Sequence, residues 1–171
     1  MRTTIIGPIV NKDNIEDLEQ KIINIIMELP KPAILIAGGS PLVDHISVLL
    51  FLRHRQQFPQ LRLYLPARID PKTGYFDKST IDGKLLNDHH TDKSRRELVE
   101  CIAAGAEIIM CNGIVARNIE IVNNCDMLVA ASFSPDEPLP GTGTAWTWQI
   151  ADPDKVDKKY INLHDIRSFH M

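Results

Sequence analysis

Short apolar runs alternate along this chain with segments in which apolar residues recur every three or four positions. The runs have the length and composition of buried strands and cover 3–10, 33–37, 61–65, 107–111, 127–133 and 159–163. Helical spacing is found in 15–29, 41–58, 94–104 and 115–124, and a short helix is expected after Gly143. This alternation predicts an α/β three-layer sandwich with a mainly parallel sheet of about six strands.

Local signals set the boundaries of several elements. Asp13 or Asn14 can cap the first helix, and Ser40 followed by Pro41 has the composition of a second helix start. The segment 67–92 is polar and lacks clear periodicity. We therefore expect one domain over 1–171 in which 67–92 forms a partly ordered lid or an irregular excursion.

Three turns of small residues follow directly after predicted strands. They are Gly38-Gly39-Ser40, Asn112-Gly113 and the stretch Gly141-Thr142-Gly143-Thr144. Since the carboxyl ends of parallel strands meet at one edge of a sheet, the three turns should lie close together. Small residues before a helix N-terminus admit an anion to free N–H groups, which predicts a phosphate-like ligand. The alternative is that the last stretch is only a turn.

Whole-chain properties narrow the class of protein. The 171 residues favour a single domain, and a net charge of −3 gives no general basic surface, so nucleic acid is an unlikely partner. The three cysteines Cys101, Cys111 and Cys125 form no CxxC pair, which favours free thiols in a reducing compartment. The N-terminus lacks a basic segment followed by a long apolar run, and no apolar run approaches membrane-spanning length. We therefore expect a cytoplasmic protein without a signal peptide or membrane contact.

Two familiar nucleotide motifs are missing. No Gly-Lys-Ser/Thr follows a glycine turn, which excludes a Walker A loop. Trp146 stands where a dinucleotide fingerprint would place its third glycine.

Charged and histidine-rich clusters offer weaker signals. His89-His90 lies between acidic residues, but adjacent histidines place no third metal ligand, so a solvated loop is favoured and no metal or cofactor is predicted. Arg95-Arg96 is typical of the solvated face of a helix, and the alternative is that these arginines reach over the pocket from the lid.

Three motifs follow one another in the second half of the chain. Arg117-Asn118 lies early in a helix, Asp126 opens the next strand, and Gly141–Thr144 follows as a glycine–threonine loop. This order resembles that of the SLOG superfamily of Rossmann-like proteins. This superfamily includes the cytokinin-activating, lysine decarboxylase-like phosphoribohydrolases and the DNA-processing Smf family. The turn at 37–40 is similar to their first glycine turn. The resemblance implies a single Rossmann-like domain over 1–171 that binds a nucleotide-type ligand.

The resemblance also implies roles for individual residues. Gly141, Thr142, Gly143 and Thr144 would hold the phosphate, and Arg117 would pair with the phosphate or orient the sugar. The remaining residues of the expected site are Gly38, Gly39 and Ser40, against the sugar or base, with Asn112, Gly113 and Asn118. For Arg117 the alternative is an exposed ion pair with Glu120 on the same helix.

One departure from the family pattern concerns catalysis. The phosphoribohydrolases read Gly-Gly-x-Gly-Thr-x-x-Glu, and the glutamate serves cleavage of the N-glycosidic bond, whereas this chain has Thr147 there. A hydroxyl cannot replace that carboxylate. Either Asp44, Asp136 or Glu137 serves instead, or the protein binds without cleaving. No catalytic residue is assigned.

These observations rank three functions. The first is a nucleotide-binding or sensing protein without chemistry of its own, and the alternative is a nucleotide N-glycosidase with a relocated carboxylate. The third is a Smf-like DNA-handling protein. Trp146 or Trp148 would stack on a base or pack a helix onto the sheet. By resemblance alone, we also expect a homodimer.

Overall fold

Six parallel strands form one sheet that carries helices on both faces. The computed structural model describes residues 1–8 and 15–168. The strands are β1 (Arg2–Ile6), β2 (Ile34–Ala37), β3 (Leu61–Leu65), β4 (Glu107–Met110), β5 (Met127–Ser132) and β6 (Asp157–Asn162). The helices are α1 (Ile15–Met27), α2 (Ile46–Arg53), α3 (Ile81–His89), α4 (Asp92–Ala103), α5 (Ile114–Asn124), α6 (Gly143–Ile150) and α7 (Leu163–Ser168). The predicted α/β sandwich is confirmed, and every strand pairing is parallel.

The strand order creates one point at which the chain reverses direction across the sheet. The order is β4-β3-β2-β1-β5-β6, so the chain first builds outward from β1 and then returns to place β5 on the other side of β1. The connections after β1 and β5 therefore diverge and leave a crevice at the carboxyl edge of the sheet. Open α/β sheets bind ligands at such a switch point.

Apolar side chains on the two faces of the sheet form two separate cores. Helices α1, α2 and α4 cover one face, where Ile22, Leu50 and Leu98 are buried. Helix α5 covers the other face through Ile121 and Val122. The sheet is therefore a rigid platform whose carboxyl edge holds the connecting loops in place.

Helix α2 begins later than predicted. It starts at Ile46, after a turn in which Leu42 adopts a left-handed φ of 70°. The prediction that Ser40 caps this helix is wrong, because the Ser40 hydroxyl instead accepts a hydrogen bond from Arg117 Nη1 at 2.9 Å. A long-range partner has replaced the local cap.

The segment 67–92 is more ordered than its composition suggests. A short antiparallel bridge joins Ile69 to Phe76, and α3 follows with Thr80 as its cap, accepting from Gly83 N at 3.0 Å. His90 is buried, so its assignment to a solvated loop is wrong. Its Nε2 donates to the Gly39 carbonyl at 2.8 Å, which places the end of α3 against the first glycine turn.

Arg95 also departs from the expected solvated face of α4. It is 7% exposed, lies 4.0 Å over the Tyr75 ring, and donates from Nη2 to the Asn87 carbonyl at 3.1 Å. The aromatic ring and the carbonyl together offset the loss of water around the guanidinium. Through these contacts with Tyr75 and Asn87, Arg95 joins the 67–92 segment to α4.

Other expectations concern the chain ends, the thiols and the membrane. Predicted positions Ile9, Val10, Asp13 and Asn14, like the last residues 169–171, lie outside the described residues. The three cysteines are free, with Cys101 and Cys125 buried and Cys111 half-buried. In the described part of the chain, none of the helices has the length and apolar character needed to cross a membrane.

Candidate functional site

A cavity of about 420 Å³ opens at the carboxyl edge of the sheet, beside the switch point. Its wall comes from the end of β1, the loops after β1 and β2, α3, and the first turns of α5 and α6. The lining residues are Ile6, Gly7, Pro8, Ser40, Pro41, Asp44, Leu85, Ile114, Arg117, Asn118, Thr142, Gly143, Thr144 and Thr147. Six of the predicted site residues are thus brought together: Ser40, Arg117, Asn118, Thr142, Gly143 and Thr144.

The first turn of α6 presents backbone donors to this cavity. Thr142 caps the helix by accepting from Ala145 N at 3.1 Å, and its own hydroxyl donates to the Leu139 carbonyl at 2.7 Å. Within the part of the chain that is described, the N–H groups of Gly143 and Thr144 have no protein acceptor. A Cβ at Gly143 would meet nothing within 4 Å, so the approach to these donors is open. Free N–H groups at a helix start favour an anion.

Arg117 is buried, with 6% of its surface exposed, and it holds two walls of the cavity together. Its Nη1 donates to the Gly38 carbonyl at 3.0 Å and to Ser40 Oγ at 2.9 Å. Its Nε and Nη2 donate to Asn118 Oδ1 at 3.1 and 2.9 Å. The alternative of an exposed ion pair with Glu120 is wrong, since the guanidinium is buried and bonded elsewhere. Four of its five N–H donors have protein acceptors.

The first glycine turn lies behind Arg117 rather than on the cavity surface. A Cβ on Gly38 would lie 3.0 Å from Arg117 Cδ and Nε, so glycine allows the guanidinium to rest on the backbone. Gly39 has a φ of 78°, and its carbonyl accepts from His90. Both residues therefore support the cavity wall through Arg117 and His90 and are not among the lining residues.

The Asn112-Gly113 turn and Gly141 lie outside the cavity lining. The carboxylate of Asp82 in α3 accepts a hydrogen bond from Ile114 N at 3.1 Å and so pairs with an N–H group at the start of α5. Its carboxylate also lies 3.2 Å from the position of a Cβ on Gly113. Gly141 has a φ of 83° and lies at the surface, with nothing within 4 Å of its Cβ position.

Asp44 is the carboxylate that the fold brings into the cavity. It is half-buried, and its Oδ1 accepts from Gly7 N at 3.0 Å. Burial raises the pKa of Asp44 to about 6, although Arg117 and the Gly7 hydrogen bond act against that rise. Asp136 and Glu137, the other two carboxylates considered, are exposed and do not line the cavity.

Thr147 stands where the family pattern has its glutamate, and its two neighbours on α6 are tryptophans. The three side chains have different surroundings. Thr147 lines the cavity, and its hydroxyl donates to the Gly143 carbonyl at 2.9 Å. Trp148 packs edge-to-face on Tyr160, with 5.9 Å between ring centroids, and Lys158 Nζ lies 4.5 Å from its ring centre. Trp146 is 36% exposed and lies outside the lining. Neither tryptophan is placed to stack on a ligand in the cavity.

Sequence reasoning did not assign the loop after β1 or helix α3 to the site. Gly7 and Leu85 line the cavity, and a Cβ on Gly7 would approach Val43 Cγ1 to 2.5 Å. The strand predicted over 3–10 contains Gly7-Pro8, whereas β1 ends at Ile6. Ending the strand at this Gly-Pro pair would have placed the loop among the turns that follow strands. No comparable feature of the sequence indicated that Leu85 would line the cavity.

A larger depression of about 670 Å³ lies under the loop that contains Tyr75, lined among others by Arg68, Thr73 and Asn87. It is open to solvent and receives no helix N-terminus or carboxyl strand end. The cavity at the switch point is smaller, but the elements that bind ligands in this architecture converge there. We therefore take the switch-point cavity as the candidate site.

Comparison with known proteins gives one relative. No protein-family model matches the chain. The chain is 31% identical over 138 residues to the uncharacterized protein R261 of Acanthamoeba polyphaga mimivirus, and the match covers 76% of this chain and 71% of the viral protein. The chain belongs to the same family as this mimivirus protein.

Proposed function

We propose that the protein binds a nucleotide or nucleotide-derived ligand in the switch-point cavity, with a phosphate at the start of α6. The observation that carries this proposal is the pair of open N–H groups at Gly143 and Thr144, facing a cavity large enough for a small ligand. The resemblance of 117–144 to SLOG proteins supports the nucleotide class.

Arg117 supports anion binding mainly through its charge. Most of its donors already bind protein, so a phosphate would gain the field of a buried guanidinium rather than a full two-pronged contact. None of the ion pairs in the described part of the chain joins Arg117 to a carboxylate. Its positive charge is therefore not taken up by a direct ion pair, although the carboxylates of Asp44 and Asp82 interact with it at longer range.

The substitution Gly143→Ala tests the phosphate position. The added methyl has room in the protein and suits a helix, so we expect the free energy of unfolding to rise by about 0.5 kcal/mol. The same methyl would lie where a phosphate approaches the backbone, so nucleotide affinity should fall about tenfold or more. Thermal shift against nucleoside phosphates, cyclic nucleotides and dinucleotides, followed by calorimetric titration of the best nucleotide, measures both effects.

Gln149→Ala serves as the matched control, because Gln149 is exposed on the same helix and lies outside the cavity lining. It should leave nucleotide affinity unchanged. Equal affinities for the Gly143→Ala variant and the wild type would place the phosphate elsewhere.

A second candidate function, cleavage of a nucleotide N-glycosidic bond, is favoured by Asp44. A cavity carboxyl with a pKa of about 6 exists in both protonation states near neutral pH, as acid–base catalysis requires. In this mechanism Asp44 would protonate the leaving base or activate water, in place of the family glutamate.

Chromatography of nucleotides incubated with the protein distinguishes cleavage from binding. If Asp44 catalyses cleavage, free base should appear with the wild type and fall at least a hundredfold with Asp44→Asn, while binding persists. Intact nucleotide after incubation with the wild type, across the whole panel, would exclude cleavage and leave the binding function.

A further inference from the structure

The switch-point cavity has a balanced charge, which constrains the charge of its ligand. Among its described lining residues, Arg117 and Asp44 are the charged side chains, with opposite signs. The other polar contributors, Ser40, Asn118 and the threonines of α6, are neutral. Above the pKa of Asp44 the formal charge of the lining is therefore zero.

The helix starts near the cavity differ in their contribution to this balance. The start of α5 is neutralised by Asp82, which accepts from Ile114 N. The start of α6 keeps its partial positive charge, since its first N–H groups are open and its cap, Thr142, is uncharged. Beyond the Arg117–Asp44 pair, the start of α6 thus contributes about half a positive charge. The full negative charge of Asp82 exceeds the half charge that it offsets at the start of α5.

We infer that the cavity selects a phosphate with one negative charge, that is, a phosphodiester, over a phosphomonoester with two. This inference rests on the proposed function and specifies the ligand within it. A monoester is close to doubly charged at pH 8, because its second pKa is near 6. Its second charge would add to the negative charge of Asp44 in the same cavity, and the described lining holds no second cation to offset it. A diester carries no such charge.

Two kinds of nucleotide share this chemistry. One is a cyclic nucleoside monophosphate, and the other is the diester linkage of a dinucleotide. Neither tryptophan lies in the cavity, and its apolar lining includes Ile6, Leu85 and Ile114. Separate titrations with a cyclic nucleotide and with a dinucleotide show which of the two kinds binds.

The experiment is calorimetric titration at pH 8 with 3′,5′-cyclic AMP, the dinucleotide adenylyl-adenosine and AMP. We expect at least one diester to bind at least tenfold more tightly than AMP. Asp44→Asn removes one negative charge but keeps an acceptor for Gly7 N. Affinity should rise for both classes, but more for the doubly charged AMP, so that the preference for the diester falls about tenfold.

Asp136→Asn is the matched control, since it makes the same chemical change on an exposed loop outside the cavity lining. It should leave the preference unchanged. Equal or tighter binding of AMP by the wild type, or an unchanged preference in Asp44→Asn, would overturn this inference and leave the proposed function intact. Failure of all three nucleotides to bind would overturn the inference and contradict the proposed nucleotide function as well.

Discussion

Arg117→Met should lower the free energy of unfolding by about 3 kcal/mol, the largest effect that we expect from a single substitution at the site. The methionine fills a similar volume but donates no hydrogen bond. The Gly38 carbonyl and Asn118 Oδ1 would then be left in a buried environment without their donors. In a protein of this size such a loss lowers the melting temperature by roughly 6–12 °C.

The same change at an exposed arginine provides the comparison. Arg2 pairs with Asp126 at 3.4 Å, and both side chains are more than one-third exposed. Exposed pairs of this kind contribute about 1 kcal/mol or less, so Arg2→Met should have a small effect. Chemical denaturation of both variants measures the difference. A similar loss in the two proteins would show that the Arg117 hydrogen bonds do not hold the glycine turn to α5.

Part of the lining of the candidate site was expected from local sequence signals. Alternating strands and helices predicted the parallel sheet, and the turns after Ala37 and Ser132 fell at its carboxyl edge. Ser40, Arg117 and Gly143 now lie on one cavity although they are far apart in the sequence. Strand order was not predictable in this way, because the pairing of β1 with β5 depends on contacts between distant residues.

The partners of individual side chains could not be predicted, for a related physical reason. Ser40 had the sequence of a helix cap, but a buried guanidinium competes better for its hydroxyl than a backbone N–H does. His90 and Arg95 were polar residues in a polar segment, and only tertiary contacts show that they are buried. The capping of α5 by Asp82 joins residues 32 positions apart. Periodicity reports burial, whereas hydrogen-bond partners depend on the assembled fold.

The buried His90 and the half-buried Asp44 should make the free energy of unfolding depend on pH in opposite directions. Burial lowers the pKa of His90 to about 4, so the stability that His90 contributes is complete above its ordinary pKa of 6.5 and is lost as the pH falls toward 4. Asp44 behaves in the reverse sense. Its pKa rises from 3.8 to about 6, so its contribution is complete below pH 3.8 and is lost as the pH rises through 6. Between pH 4 and 6 the two effects offset each other in the wild type.

Asp44→Asn separates these contributions. Asparagine cannot ionise, so the variant should match the wild type at pH 4 and be more stable at pH 8 by about 2 kcal/mol, a value reduced for the partial exposure of Asp44. Glu19, whose pKa burial raises to about 7, changes the wild type and the variant equally and cancels in their difference. Denaturant titrations from pH 4 to pH 8 give that difference directly. A constant difference across the range would mean that the Asp44 carboxyl is as well solvated in the fold as in the unfolded chain. A rise centred between pH 4 and 6 would identify Asp44 as a carboxyl whose charge the cavity opposes, and a ligand phosphate would meet that charge on binding.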